Sequence, residues 1–379
     1  MNKKKREFQW QKVILIILFM IIGGVSGFLI AKYVDSTNSG GETPLKVFIN
    51  TFIIILLIYI AIILQIIIHE AGHLIGGLIS GYKFSSFRVF NIMLIKENGS
   101  FKFKKLSLAG TGGQCLMIPP ELIDGKVPYK LYNLGGSILN IITALIFLSF
   151  YILVSDVKFL SFFFLMISII GIAFAIMNGV PMKFGGINND GDNALSLGKN
   201  SSALKSFWIQ MKINELASKG VRMKDMPEEL FIIPSDEEMK NSIIATIFVF
   251  SCNRLMDENK FEDAHKLIRK YLDIDTAIVG LHRSLLICDE IYCKAINGSS
   301  KEEIDLLLDK GQKKFMKAMK KFPSVLRTEY VYSLIIEKDL DKASKIRKEF
   351  NKISLTYPYQ SDIESEYELI EIAEKILNK

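Results

Sequence analysis

The sequence predicts a polytopic α-helical membrane protein with four transmembrane helices, a cytosolic β-hairpin insertion and an all-α soluble domain. Half of the 379 residues are hydrophobic and the mean hydropathy is +0.28, yet 23% of the residues are charged. Four apolar runs reach the roughly 20 residues that a helix needs to cross a bilayer. After about residue 195 the chain turns polar and carries repeated helix-capping patterns. The chain therefore combines a lipid-embedded core, 1–195, with a soluble part, 196–379.

The predicted spans lie at about 13–31, 47–80, 134–154 and 159–177. The first follows a basic segment, as a signal peptide would. It is long enough to span and lacks a convincing small-residue cleavage site, so we interpret it as an uncleaved anchor. Lysine and arginine are concentrated before the first span and between the second and third. Because basic loops stay in the cytosol, this asymmetry places the N- and C-termini on the cytosolic side.

A β-hairpin is predicted at about 84–108, between the second and third spans. Asn98-Gly99, the preferred two-residue hairpin turn, separates an apolar stretch from a strand in which Phe101 and Phe103 alternate with lysines. The glycines and prolines of 110–120 predict a loop there.

The soluble part is predicted to consist of helical hairpins. Two similar windows, 259–267 and 338–346, each resemble the start of the second helix of a tetratricopeptide repeat, but no 34-residue period holds. A degenerate solenoid and a plain helical bundle both remain open. This domain is a candidate surface for a protein partner. The net charge of +7 is explained by lysines beside the spans, so no nucleic-acid partner is expected, and the four scattered cysteines are read as reduced core thiols.

The second span contains the motif His69-Glu70-Ala71-Gly72-His73, which holds two of the four histidines in the chain. Residues four apart share one face of a helix, so His69 and His73 can bind one metal ion, with Glu70 beside it as a general base. A catalytic zinc ion takes a third protein ligand. Asp190 and Asp192 both follow the fourth span at the same membrane face. Asp190 is preferred because Gly191 lets the backbone turn sharply, and Asp192 stays open.

These residues resemble the site-2 protease family of intramembrane zinc metalloproteases. The resemblance rests on the histidine motif and on the N-x-x-P … D-G pattern, which appears here as 178–181 followed by 190–191. It covers roughly 50–195. It implies that His69, His73 and Asp190 bind Zn²⁺ and that Glu70 activates water. The gap before the D-G pair is longer than usual and the residue before it is Asn189, which resembles a divergent bacterial branch.

Asn140 is similar to the membrane-buried asparagine of that family, and we predict that it donates a hydrogen bond to the reaction oxyanion. An interhelical hydrogen bond is its other interpretation. The function implied is hydrolysis of a peptide bond in a membrane-anchored protein or peptide precursor, in regulated proteolysis or peptide maturation, at a bacterial cell membrane. The alternative is a non-catalytic membrane scaffold whose helical domain recruits partners.

Overall fold

The computed structural model describes residues 10–38, 43–97, 99–108, 111–184 and 186–377. The basic N-terminal segment and Asn98 of the predicted turn lie outside the described residues. The chain divides into two compact units. The first comprises Met1–Ser80, Tyr129–Phe184 and Asn188–Leu195, and the second comprises Gly81–Pro128, Gly185–Ile187 and Ser196–Lys379.

The first unit is helical. Its helices run over Trp10–Asn38 (α1), Pro44–Ile79 (α2), Lys130–Leu153 (α3), Lys158–Gly179 (α4) and the short Asp190–Ser196 (α5). Three of them, α2, α3 and α4, are long and apolar enough to cross a membrane. The last three predicted spans thus correspond to helices of membrane-spanning length. The first apolar run forms α1, which is not among these three, so four spans stay a prediction.

Small residues let α2 and α3 approach one another at the level of the histidine motif. A Cβ added to Gly72 of α2 would overlap the carbonyl oxygen of Gly135 in α3, and one added to Gly76 would overlap the carbonyl of Leu131. Such backbone contact is how apolar helices pack tightly in lipid, where the hydrophobic effect between them is absent. Gly72 and Gly76 therefore allow α2 and α3 to pack closely at these two positions.

The second unit contains a four-stranded antiparallel sheet instead of a lone hairpin. Its strands are Lys83–Val89 (β1), Ile92–Glu97 (β2), Ser100–Lys105 (β3) and Gly113–Ile118 (β4), in the order β3-β2-β1-β4. The β2–β3 turn falls where it was predicted, because Glu97 pairs with Ser100. The apolar stretch before it is two strands, since Phe90 adopts φ +52° and reverses the chain. The predicted loop at 110–120 was wrong over 113–118, which pairs with β1.

The rest of the second unit is helical, as predicted. Its helices are Ser201–Ser218 (α6), Ser242–Asp257 (α7), Phe261–Leu272 (α8), Gly280–Ile296 (α9), Lys301–Asp305 (α10), Lys310–Ala318 (α11), Pro323–Val331 (α12), Leu340–Ser354 (α13) and Gln360–Leu377 (α14), with a π-helix at Tyr332–Glu337. Met93 of β2 and Leu106 lie in the same hydrophobic core as the C-terminal helices. The sheet, which the sequence analysis grouped with the membrane core, therefore shares its core with the helical domain.

Candidate metal centre

The helix α2 places both motif histidines on one buried face. The Nε2 atoms of His69 and His73 lie 3.2 Å apart, and the ring centroids are 4.8 Å apart. This is the result of the four-residue spacing, which brings successive turns of a helix into register. Glu70 follows directly and is also buried.

Asp190 completes a cluster of three donor atoms. Its Oδ2 lies 3.2 Å from Nε2 of His69 and 3.3 Å from Nε2 of His73. Among the described residues, these three side chains form the group of histidine, cysteine and acidic residues able to hold a metal ion, and Asp192 is not a member. The geometry thus favours the aspartate that the sequence analysis preferred.

Both histidines present an Nε2 lone pair to this cluster. Nδ1 of His73 lies 2.7 Å from the backbone oxygen of Tyr132, which can only accept a hydrogen bond. Nδ1 of His69 lies 2.7 Å from Oδ1 of Asn140, which also only accepts. Each Nδ1 therefore carries the proton, because the bond made by one ring nitrogen fixes the role of the other. Two lone pairs and a carboxylate oxygen then converge in a buried space.

The spacing of the three donor atoms fits a small tetrahedral cation. Ligands about 2.0–2.1 Å from a tetrahedral zinc ion lie about 3.3–3.4 Å from one another. The separations here are 3.2–3.3 Å. Without a cation or an added proton, the three electron-rich atoms would repel one another at low dielectric. His69, His73 and Asp190 could therefore hold such an ion.

Asn140 forms hydrogen bonds between α3 and α2, which is one of the two interpretations offered for it. Its Oδ1 accepts from His69, and its Nδ2 donates to Oε1 of Gln65 at 2.6 Å and to the backbone oxygen of Gln65 at 3.2 Å. Both amide hydrogens are thus engaged, so donation to an oxyanion would require one of these bonds to break. The geometry favours the interhelical hydrogen bond, and the oxyanion role of Asn140 stays a prediction.

Asn189, which departs from the pattern of the similar family, fixes the backbone next to Asp190. Its side chain makes four hydrogen bonds. Oδ1 accepts from the N–H groups of Met182 and Asp192, both at 2.9 Å, and Nδ2 donates to the carbonyls of Met177 at 2.9 Å and Val180 at 2.6 Å. Asn189 thereby ties the end of α4 to the start of α5. The polar run 188–190 beside a span was the signal available in the sequence.

Two glycines leave space at the site. A Cβ on Gly136 of α3 would lie 2.6–2.8 Å from three atoms of the His69 ring. A Cβ on Gly191 would overlap the carbonyl oxygen of Gly179 at the end of α4. The ring of His69 and the first turn of α5 therefore both occupy volume that an ordinary side chain would fill.

No known protein family, curated protein or solved structure matches this chain. A functional conclusion accordingly rests on the chemistry of the described residues. That chemistry consists of two neutral imidazoles, one carboxylate at tetrahedral spacing and a neighbouring buried glutamate, all in the unit that contains the three apolar helices. His69, His73 and Asp190, with Glu70 beside them, are the candidate metal centre.

Proposed function

We propose that this protein is an intramembrane zinc metalloendopeptidase that hydrolyses a peptide bond in or near a transmembrane segment of a membrane-anchored protein or peptide precursor. The observation that carries the proposal is the convergence of His69 Nε2, His73 Nε2 and Asp190 Oδ2 at 3.2–3.3 Å. Three protein ligands leave the fourth tetrahedral position for water, which is the arrangement of catalytic zinc sites, whereas structural sites are closed by four.

The residues around the centre have distinct roles in this proposal. The bound ion would supply a water of lowered pKa and polarise the peptide carbonyl. Glu70, next to His69 in α2, accepts the proton of that water and later passes it to the leaving amine. Asn140 and the backbone oxygen of Tyr132 keep the two imidazoles in the tautomer that presents Nε2. Asn189 fixes the backbone next to Asp190 and so keeps the Asp190 carboxylate close to the two histidines.

The position of the motif within α2 indicates the kind of substrate. His69 lies ten residues before the end of the helix at Ile79, which is roughly 15 Å of helix rise. A water-dependent reaction at that depth requires a polar site between helices. The two histidines are buried, and the Asp190 side chain is partly exposed. A helical substrate shields its peptide bonds, so it must unwind before cleavage.

The edge strand β3 is a candidate binding surface for an unwound substrate. The N–H of Lys105 donates away from β2, to the carbonyl of Thr356 at 2.9 Å. Because N–H directions alternate along a strand, those of Phe101 and Phe103 also face away from β2. Their side chains are 62% and 77% exposed. An extended segment could therefore add to this edge as a further strand.

The proposal is tested by comparing wild type with Glu70→Gln in cells that lack the native copy. New protein termini within or beside membrane spans are mapped by mass spectrometry, and the zinc content of both purified proteins is measured. We expect zinc in both proteins and the new termini only with wild type, because glutamine keeps the shape of Glu70 but cannot accept the proton. Identical sets of termini, or a wild type without zinc, would refute the proposal.

A further inference from the structure

A fully buried glutamine lies one helical turn before the histidine motif. Gln65 belongs to the apolar run of α2 and none of its surface is exposed. Its Nε2 donates to the backbone oxygen of Ile167 in α4 at 2.8 Å. Its Oε1 accepts from Nδ2 of Asn140 in α3 at 2.6 Å. Gln65 thus connects all three helices of membrane-spanning length.

The carbonyl of Ile167 determines which atom donates and which accepts in each of these hydrogen bonds. The carbonyl of Ile167 has no hydrogen to give, so the amide nitrogen of Gln65 must face it. The oxygen of Gln65 therefore faces Asn140, whose Nδ2 is also bound to the backbone oxygen of Gln65. Asn140 must then turn its Oδ1 to Nδ1 of His69. The chain of contacts leaves one orientation for each amide and one tautomer for the imidazole.

The helix α4 has a glycine, Gly171, where it faces the side-chain amide of Gln65. A Cβ on Gly171 would lie 2.6 Å from Nε2 of Gln65 and 3.1 Å from its Cδ. A glutamine in an apolar span is unfavourable unless its polar atoms are bonded, and both ends of this one are. Gly171 therefore provides a second position, on another helix, from which the same contact can be disturbed.

We propose that Gln65 is a positioning residue for the metal centre. It locks the amide of Asn140 so that His69 keeps its proton on Nδ1 and directs Nε2 towards His73 and Asp190. This inference rests on the proposed function, because it assigns the tautomer that binds the metal. A purely structural Gln65 would hold the helices together without affecting metal affinity in the folded protein.

The test is the zinc affinity of the full-length protein in detergent, measured by competition with a chelator, alongside the thermal stability of the zinc-free forms. We expect Gln65→Met, which fills similar volume without either bond, to weaken zinc binding by about 10–100-fold, as is typical when a partner of a metal-binding histidine is lost. Gly171→Ala should weaken it in the same direction. Gln65→Glu keeps an acceptor for Asn140 and should bind zinc more tightly than Gln65→Met. Thr51→Val, on the same helix and bonded to the carbonyl of Val47, is the matched control and should leave affinity unchanged.

Two outcomes are separable. A wild type that binds no zinc would overturn the proposed function itself. A wild type that binds zinc, with Gln65→Met or Gly171→Ala folded and of equal affinity, would overturn the positioning role alone. If Gln65→Met does not fold, Gly171→Ala and Gln65→Glu decide: the role holds if Gly171→Ala binds more weakly than Gln65→Glu and fails if both match wild type.

Discussion

At the scale of single residues, the candidate metal centre depends on the positions of protons as well as on which side chains lie together. His69 and His73 each have an acceptor at Nδ1, so both direct a lone pair to Asp190. The sequence predicted that these three side chains lie together, because the four-residue spacing and the aspartate-glycine pair are local signals. It could not predict Gln65, because its bonds to Asn140 and Ile167 span 75 and 102 residues of chain and exist only after the helices pack.

The space around His69 leads to a prediction for Gly136→Ala. The added methyl group would collide with the imidazole ring, so the ring must move and its Nε2 must leave the position 3.2 Å from Asp190. We expect zinc affinity to fall by at least about tenfold, because second contacts of a metal-binding histidine typically matter on that scale. Gly23→Ala, where nothing lies within 4 Å of the added carbon, is the control. Equal zinc affinity in Gly136→Ala and wild type would contradict this geometry.

At the scale of elements, the sheet shows what local signals miss. Asn98-Gly99 gave the β2–β3 turn correctly, whereas the β1–β2 turn depends on Phe90 at φ +52°, a conformation that bulky residues rarely adopt. The strand β4 was missed because its partner β1 lies about 30 residues earlier, and tertiary pairing outweighs the weak signal of a glycine-rich segment.

The edge strand β3 leads to a prediction for Phe103→Pro. Phe103→Pro removes a backbone donor that faces away from β2 and leaves the β2–β3 ladder intact, since prolines are tolerated at strand edges. If a substrate segment pairs there, cleavage should slow several-fold while zinc content stays at the wild-type level. Phe103→Ala, which keeps the N–H, separates the backbone effect from the loss of the ring. Cleavage at the wild-type rate in Phe103→Pro would rule out pairing at this edge.

At the scale of the whole molecule, the three long apolar helices and the helical domain were predictable in outline, because long apolar runs and capping patterns are strong signals. The buried charges of the helical domain were not. Arg327 is buried and bonds to Asp289 at 2.6 Å and to Glu366 at 2.8 Å. These pairs join α9, α12 and α14 across long stretches of sequence, so only the folded structure reveals them.

This charge cluster predicts a pH dependence of stability. Burial, with the negative charges of Glu366 and Asp257, raises the pKa of Asp362 to about 7. The folded state therefore binds this proton more tightly than the unfolded chain, in which the pKa is about 3.9, so the Asp362 contribution to stability falls as pH rises from about 4 to about 7. We expect the melting temperature of Asp362→Asn, measured by circular dichroism, to rise relative to that of wild type as the pH increases from 5 to 8.

Glu368 provides a control of opposite sign. Burial favours its neutral form, but hydrogen bonds from Asn259, Arg222 and Lys224 outweigh this and lower its pKa to about 2. Its contribution is present above the ordinary pKa and is lost only as pH falls through that value, so Glu368→Gln should differ from wild type by a constant amount between pH 6 and pH 8. A difference between Asp362→Asn and wild type that is equally constant from pH 5 to pH 8 would contradict the raised pKa.

The proposed metal centre consists of Asp190 and the two motif histidines. Its most direct test is the zinc content of purified wild type, Asp190→Ala and Asp192→Ala, measured by elemental analysis on folded protein. The two aspartates are two residues apart on α5, but only Asp190 joins the donor cluster. We predict about one zinc ion per chain in wild type and Asp192→Ala, and a large loss in Asp190→Ala. Full zinc content in Asp190→Ala, or no zinc in wild type, would rule out this metal centre.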